Sequence, residues 1–228
     1  MSVNGGPNIS ENGLIFSLDA ADRTSYPGSG TIWYDLVGNN NGTLTNGPTF
    51  NSGNKGSIVF DGTNDYVDTT YTADTGNNFS FGAVCKPTSN GQSLGGDIIA
   101  KNYSSGSPYV SWGVDFLSDR TFRFMVADNT TFSFVLSAPQ TLNQVYYLFV
   151  NYQNKVITAY INGVVVGVKT NTNDPVYNDH TLTLGVWKES PTDNYFVGNI
   201  YNVQLYNRAL STQEILQNYN NTKSRFGL

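Results

Sequence analysis

Histidine, glutamate and cysteine are nearly missing from this chain, and charge of either sign is sparse. His180 is the single histidine, and Glu11, Glu189 and Glu214 are the only glutamates. Histidine-based zinc sites and Ser-His-Asp triads need a histidine among the right neighbours. His180 stands beside Asp179 in a loop-like stretch and reads as a solvated side chain. Retaining glycosidases need two carboxylates about 5–5.5 Å apart. No two glutamates are close in sequence, and a glycine-containing turn separates Asp61 from Asp65. The expectation is therefore a chain that is not an enzyme. Cys85, the lone cysteine, rules out an intrachain disulfide. It follows Phe79, Phe81 and Ala83 at alternate positions, so it should be a buried, inert thiol. No P-loop or Rossmann glycine pattern is present.

Charged residues make up 13% of the chain, about half the usual share, and the net charge is −5. Without a basic stripe, a nucleic acid backbone would be repelled, so nucleic acid is not an expected partner. No apolar run reaches membrane-spanning length, and insertion into a membrane is not expected. Residues 1–10 lack the basic-then-apolar pattern of a secretory signal. A composition suited to the outside of a cell, without an export signal, fits a virion protein released by lysis. An exported product cut from a precursor fits as well.

Aromatics (14%) and hydrophobics (39%) supply a sizeable core. Strands are expected at 14–19, 57–60, 66–69, 79–86, 97–101, 110–117, 121–127, 131–137, 145–152, 155–162, 164–169, 181–186 and 195–206, from alternation and β-branched or aromatic content. Asn162-Gly163 between Ile161 and Val164 signals a type I′ hairpin, and Gln153-Asn154 should turn the hairpin before it. On the last strand Ile200, Asn202, Gln204 and Tyr206 fall on one face, with Tyr201, Val203 and Leu205 on the other. Ser211 and Glu214 have capping-box spacing and start a short helix. Val110, Trp112, Val114 and Phe116, with Phe122, Phe124, Val126, Phe132, Phe134 and Leu136, should line one inner wall. Ser111, Asp115, Arg123 and Ser133 should then form a solvated face, with Asp115 opposite Arg123 if residues 118–120 make a three-residue loop. The expected architecture is all-β: a jelly-roll β-sandwich of two antiparallel sheets with one short C-terminal helix. Residues 1–12 should be a flexible N-terminal arm and 13–228 one domain.

Five segments, residues 13–20, 33–44, 60–67, 79–87 and 160–163, occur in an order that resembles the laminin-G-like, concanavalin A-like jelly-roll domains, in a phage-type form. Gly13-Leu14-Ile15-Phe16-Ser17-Leu18-Asp19-Ala20 is similar to the opening strand. The stretch from Trp33 to Leu44 (WYDLVGNNNGTL) is similar to the family's W-D-L-S-G-N-x-N-G-T-L segment. Phe60-Asp61-Gly62-Thr63-Asn64-Asp65-Tyr66-Val67 resembles its FDGxxDYV turn. Residues 79–87 resemble FSFxAWVKP, with Val84 where a tryptophan is common. Tyr160-Ile161-Asn162-Gly163 is similar to its YxNG hairpin. The ending GNIYNVQLYNRALSTQEI closes such a sandwich. The fold hosts lectins, hydrolases, adhesion modules and structural parts, so it does not choose among them.

The resemblance implies where a site would lie. In pentraxin-like relatives calcium and ligand sit between two loops that correspond here to 102–109 and 187–194. Asn102, Glu189 and Asp193 are then the calcium candidates, with oxygen ligands suited to that ion. Trp187, Tyr109 and Tyr195 flank the same rim and could stack on a sugar. Either these loops hold calcium or a glycan, or they are solvated connections. Asp61 and Asp65 are a second calcium candidate, or ordinary turn formers. Tyr147, Phe149 and Tyr160 face outward on adjacent strands and mark an interface, unless loops of the chain cover them. The expected function is non-enzymatic binding or display on a virion surface, extracellular after release, with weak binding of a host surface glycan. A purely structural capsid or tail decoration protein, partnered by a virion protein or like subunits, is the alternative, and a carbohydrate-active enzyme the third reading.

Overall fold

The structure, a computed structural model, describes every residue except 1–8, 92–94, 103–110, 129–131, 176–179, 189–193 and 227, and the side chains of Asn102 and Ser111. In chain order the strands are β1 (Leu14–Asp19), β2 (Ile32–Trp33), β3 (Gly42–Thr45), β4 (Thr49–Asn51), β5 (Ser57–Asp61), β6 (Tyr66–Thr69), β7 (Asn78–Pro87), β8 (Gly96–Asn102) and β9 (Ser111–Phe116). They continue with β10 (Phe122–Ala127), β11 (Phe132–Leu136), β12 (Tyr146–Gln153), β13 (Val156–Ile161), β14 (Val164–Thr170), β15 (Thr183–Leu184), β16 (Val186–Trp187), β17 (Asn194–Tyr195) and β18 (Val197–Tyr206). The helix α1 spans Thr212–Phe226.

Two eight-stranded antiparallel sheets form the sandwich. The first runs β14-β13-β12-β7-β18-β5-β4, with β1 also paired to β18, and the second runs β11-β10-β9-β8-β15-β6-β3-β2. Pairing β1 with the last strand closes the fold, since Phe16 and Leu18 lie opposite Leu205 and Val203 and all four enter the core. Trp112, Phe79 and Phe81 stack at its centre, with ring centroids 4.4–5.8 Å from Trp112. Cys85 is buried beside them, and burial pushes its thiol pKa well up. Asn162 (φ 52°) and Gly163 (φ 77°) both adopt the left-handed conformation that the tight hairpin requires. The hairpin before it turns on Asn154-Lys155, one residue later than the Gln153-Asn154 expected, because Gln153 still pairs with Val156.

A second, smaller core lies on the outer face of the first sheet. Val84, Tyr147, Phe149, Tyr160, Tyr201 and Tyr206 are sealed there by Ile215 and Tyr219 of α1. Ser211 accepts from the Glu214 N–H at 3.3 Å, and Glu214 accepts from the Ser211 N–H at 2.8 Å, so the capping box forms as spaced. The helix is 15 residues long rather than short. The supposed arm is partly docked: Ser10 donates its N–H to Asn218 (2.8 Å) and its hydroxyl to Glu214 (3.0 Å), and Arg208 binds the Asn12 carbonyl (2.8 Å).

Two faces differ from expectation. On β11, Phe134 and Leu136 are 42% and 46% exposed while Val135 enters the core. The pairing Met125↔Phe134 puts Phe132, Phe134 and Leu136 on the outer face. At this edge the sheets close tightly, and a Cβ on Gly167 of β14 would stand 2.5 Å from Val135. On β18 a bulge between Ile200 and Asn202 sends Ile200 inward and Tyr201, Asn202, Gln204 and Tyr206 outward.

Candidate functional site

The outer face of the second sheet carries the aromatic chemistry. Residues 118–120 make the three-residue loop, and Arg123 lies opposite Asp115. The face is not solvated there, as it was expected to be. Asp115 is fully buried because Arg123 closes over the carboxylate, donating from Nε at 3.2 Å and again from a terminal nitrogen, while Ser133 pairs with Val126 and turns inward instead. Burial raises the Asp115 pKa, and the guanidinium holds that rise back. Asp97 on β8 is the register partner of Asp115 and is also fully buried. Two carboxyl groups side by side resemble an acid pair, but neither has surface on which a scissile bond could rest.

Outward-pointing Ala100, Met125 and Ala127 are fully buried, so something covers them. The β16–β17 hairpin does so. Its Trp187 reaches across β9 and β10 and stacks on Phe132 of β11, with centroids 6.0 Å apart and an interplanar angle of 15°. Phe134 continues the row at 6.5 Å, and the Arg123 guanidinium lies 5.7 Å from the Phe132 centroid. The result is a row Trp187–Phe132–Phe134, half-buried at the tryptophan and open at the edge. The Trp187 Nε1–H is buried without a partner among the described residues. Lys188 pairs with Asp68 and lies over Tyr66, which bounds the row's far side.

The rim candidates fare unevenly. Glu189, Asp193 and Tyr109 lie outside the described residues, as does the side chain of Asn102. Tyr195 is half-buried on β17. Asp61 and Asp65 serve the turn. The Asp61 N–H donates to Asp65 at 3.1 Å and the Thr63 N–H to Asp61 at 2.7 Å. Asp65 is buried and its pKa is raised by that burial. Among the described residues no three His, Cys, Asp or Glu side chains gather as a metal site. Tyr147, Phe149 and Tyr160 do face outward, but α1 buries all three, so they are not an exposed interface. The covering element is the chain's own helix rather than a loop.

Sequence reasoning missed one feature. A cleft of about 520 Å³ opens on the outer face of the first sheet, between β1, β18 and the C-terminal half of α1. Its floor is Ser17, Asn202 and Gln204, and Leu36, Asn220 and Arg225 stand at its walls. The alternation of Asn202 and Gln204 and the start of the helix were visible in the sequence, but not the helix length and packing that turn their face into a cleft.

Two antiparallel sheets packed face to face, with the first and last strands paired, define a jelly-roll sandwich. The chain belongs to the concanavalin A-like lectin/glucanases superfamily, whose laminin G-type model matches residues 61–216. No curated protein matches. Among solved structures the chain is similar to a Trypanosoma rangeli sialidase (17% identity, TM-score 0.71), covering 99% of this chain and 36% of that one. It is similar to the binding domain of a Paraclostridial mosquitocidal protein (15% identity, TM-score 0.72), covering 92% of this chain and 52% of that one. It is also similar to domain 4 of an extracellular arabinanase from Geobacillus stearothermophilus, solved with arabinotriose (17% identity, TM-score 0.70), covering 92% of this chain and all of that domain. The chain spans about a third of the sialidase's length. Among the described residues no helix is long and apolar enough to cross a membrane.

Proposed function

We propose that this domain is a non-enzymatic glycan-binding module, displayed on a virion surface, whose ligand lies along the aromatic row of the second sheet. The observation that carries this reading is the row itself: Trp187 stacks on Phe132, and Phe134 extends the row to an exposed ring at the sheet edge, beside Arg123. Ring faces are electron-rich and meet the C–H face of a sugar well, while nearby polar groups fix its orientation. The arabinanase domain, solved with arabinotriose, supports a saccharide as the ligand class. The burial of Asp97 and Asp115 supports binding without turnover. The low charge supports a place outside a cell, on a particle or as an exported product. Calcium held by the rim loops remains part of the proposal only as a property of Asn102, Glu189 and Asp193, and a melt with and without calcium after chelation tests it. A glycan array probed with the parent chain and with Phe134→Ser tests the main reading. Parent signal on a defined set of glycans, lost in the variant, is expected; equal signal from both overturns the assignment to this row.

A second reading, structural decoration through like subunits or a capsid or tail protein, is favoured by one observation. β14 is the edge of the first sheet, and its Val164, Val165, Val166 and Val168 are all exposed. An open apolar edge strand is a template for pairing with another strand. Val166→Lys should abolish any self-association seen by sedimentation; a monomeric parent removes support for the like-subunit form of this reading.

A further inference from the structure

The cleft beside α1 lies on the opposite sheet from the aromatic row, and its floor is made of polar side chains that open to the cleft rather than to partners within the protein. Ser17, Asn202 and Gln204 are only 6%, 7% and 6% exposed. Among the described residues the Ser17 hydroxyl and the Asn202 carboxamide have no hydrogen-bond partner, and Gln204 only accepts a long bond (3.5 Å) from the Tyr206 hydroxyl. All three aim into a space of about 520 Å³, within the range of small-molecule sites.

We propose that this cleft binds a neutral polyhydroxylated ring, a pyranose or a cyclitol, through Ser17, Asn202 and Gln204. Each carboxamide offers an acceptor and two donors, and the serine hydroxyl offers both, the set that matches hydroxyls able to donate and accept. Asn202 and Gln204 alternate on β18, roughly 7 Å apart along the strand, and Ser17 is the cross-strand partner of Gln204. The three points thus span an area comparable to one six-membered ring. The charges that line the cleft balance, Glu11 and Asp19 against Lys55 and Arg225, which argues for a neutral ligand. Arg225 at the wall is already spent, donating to both Asp19 oxygens at 2.7 and 2.9 Å and to the carbonyls of Asn54 and Gly56 at 3.0 Å each. Leu36, exposed at the mouth, supplies an apolar contact for the ring's C–H face.

Apolar side chains of the same shape would remove the unpartnered groups and hold the sheet at least as well. Polar residues kept at such positions mark sites where function outweighs stability. The test is an NMR titration of the parent chain with glucose, galactose, mannose and myo-inositol, repeated on Asn202→Leu, Gln204→Met and Phe134→Ser, with a melt of each. At least one of these probes should shift the resonances of Ser17, Asn202 and Gln204 in the parent. Asn202→Leu and Gln204→Met should lose that shift at least tenfold in affinity while melting at or above the parent temperature. Phe134→Ser should keep it, which separates this site from the aromatic row. The inference is overturned if none of the four probes moves these resonances at tens of millimolar. It is equally overturned if the shifts survive both cleft variants, or if both variants melt well below the parent, which would make the amides structural. Should the variants fail to fold, the amides are structural and the inference also falls.

Discussion

Arg123→Met should be among the most damaging single substitutions near the surface of this domain. Asp115 is fully buried, and its two oxygens are met by Arg123, with Nε at 3.2 Å. Removing the guanidinium leaves a carboxyl group in a closed space beside Asp97, its neighbour on β8. Breaking a buried pair from one side costs about 3–5 kcal/mol, against about 0–1 kcal/mol for an exposed pair. The cost depends on pH with a definite sign. Burial already raises the Asp115 pKa, and Arg123 lowers it again, so the variant's value rises further. An acid whose folded pKa lies above its unfolded value takes up a proton on folding. Its deficit is smallest below the unfolded value near 4 and grows by about tenfold in the folding equilibrium per pH unit up to the folded pKa. Urea denaturation of parent and variant from about pH 4 to about pH 8 reads this directly. Asp115→Asn added to Arg123→Met should recover most of the loss at neutral pH. A deficit under about 1 kcal/mol, or one that does not change with pH, would mean the pair is solvated and the burial argument fails. Arg123 also lies over the Phe132 ring, so the same variant should loosen the stack that holds Trp187.

Trp112→Ala should cost about 3–5 kcal/mol in denaturant melts, since the ring is packed on Phe79 and Phe81 at the centre of the core. Cys85 should react with thiol reagents only after unfolding, and fast labelling of the native chain would contradict its burial. Ser211→Ala should cost about 1 kcal/mol by removing the helix cap. Glu214 is held well below the usual carboxylate range by the Arg208 side chain. Its stabilisation is therefore present above the unfolded pKa and lost as pH falls below it. Glu214→Gln should flatten the acid side of the stability profile, and an unchanged acid limb would show that the Arg208 contact contributes nothing.

What the sequence disclosed follows from the range of each signal. Asn162-Gly163 and the Ser211–Glu214 box are local, and both form as read. The inward face of β9 and β10 is set by strict alternation, and Trp112, Val114, Phe122 and Phe124 obey it. β2, β3 and β4 have two to four residues each, too few to show a period. In Phe132-Ser133-Phe134-Val135-Leu136 either register buries apolar side chains, so the choice fell to Gly167 on another strand, and a one-residue slip reversed the face. The Asn-rich run in α1 has weak helix propensity, and its length comes from Ile215, Tyr219 and Phe226 packing on the sheet. Tyr147, Phe149 and Tyr160 were legible as an outward apolar cluster. Their cover lies some fifty to seventy residues further on in the chain, and no local pattern announces it. The aromatic row was half visible, in Trp187 alone, because Phe132 and Phe134 join it only through the β11 register.

The central claim, that a glycan lies along that row, is tested most directly by tryptophan fluorescence. Trp33 and Trp112 are buried, so a change in emission on adding ligand reports mainly on the half-buried Trp187. Titration of the parent with arabinotriose and with any glycan found positive on the array should give a saturable change. That change should vanish in Trp187→Phe and weaken in Phe134→Ser, and no shorter product should appear on long incubation. A saturable change that persists in Trp187→Phe, or release of a hydrolysis product, would contradict the account.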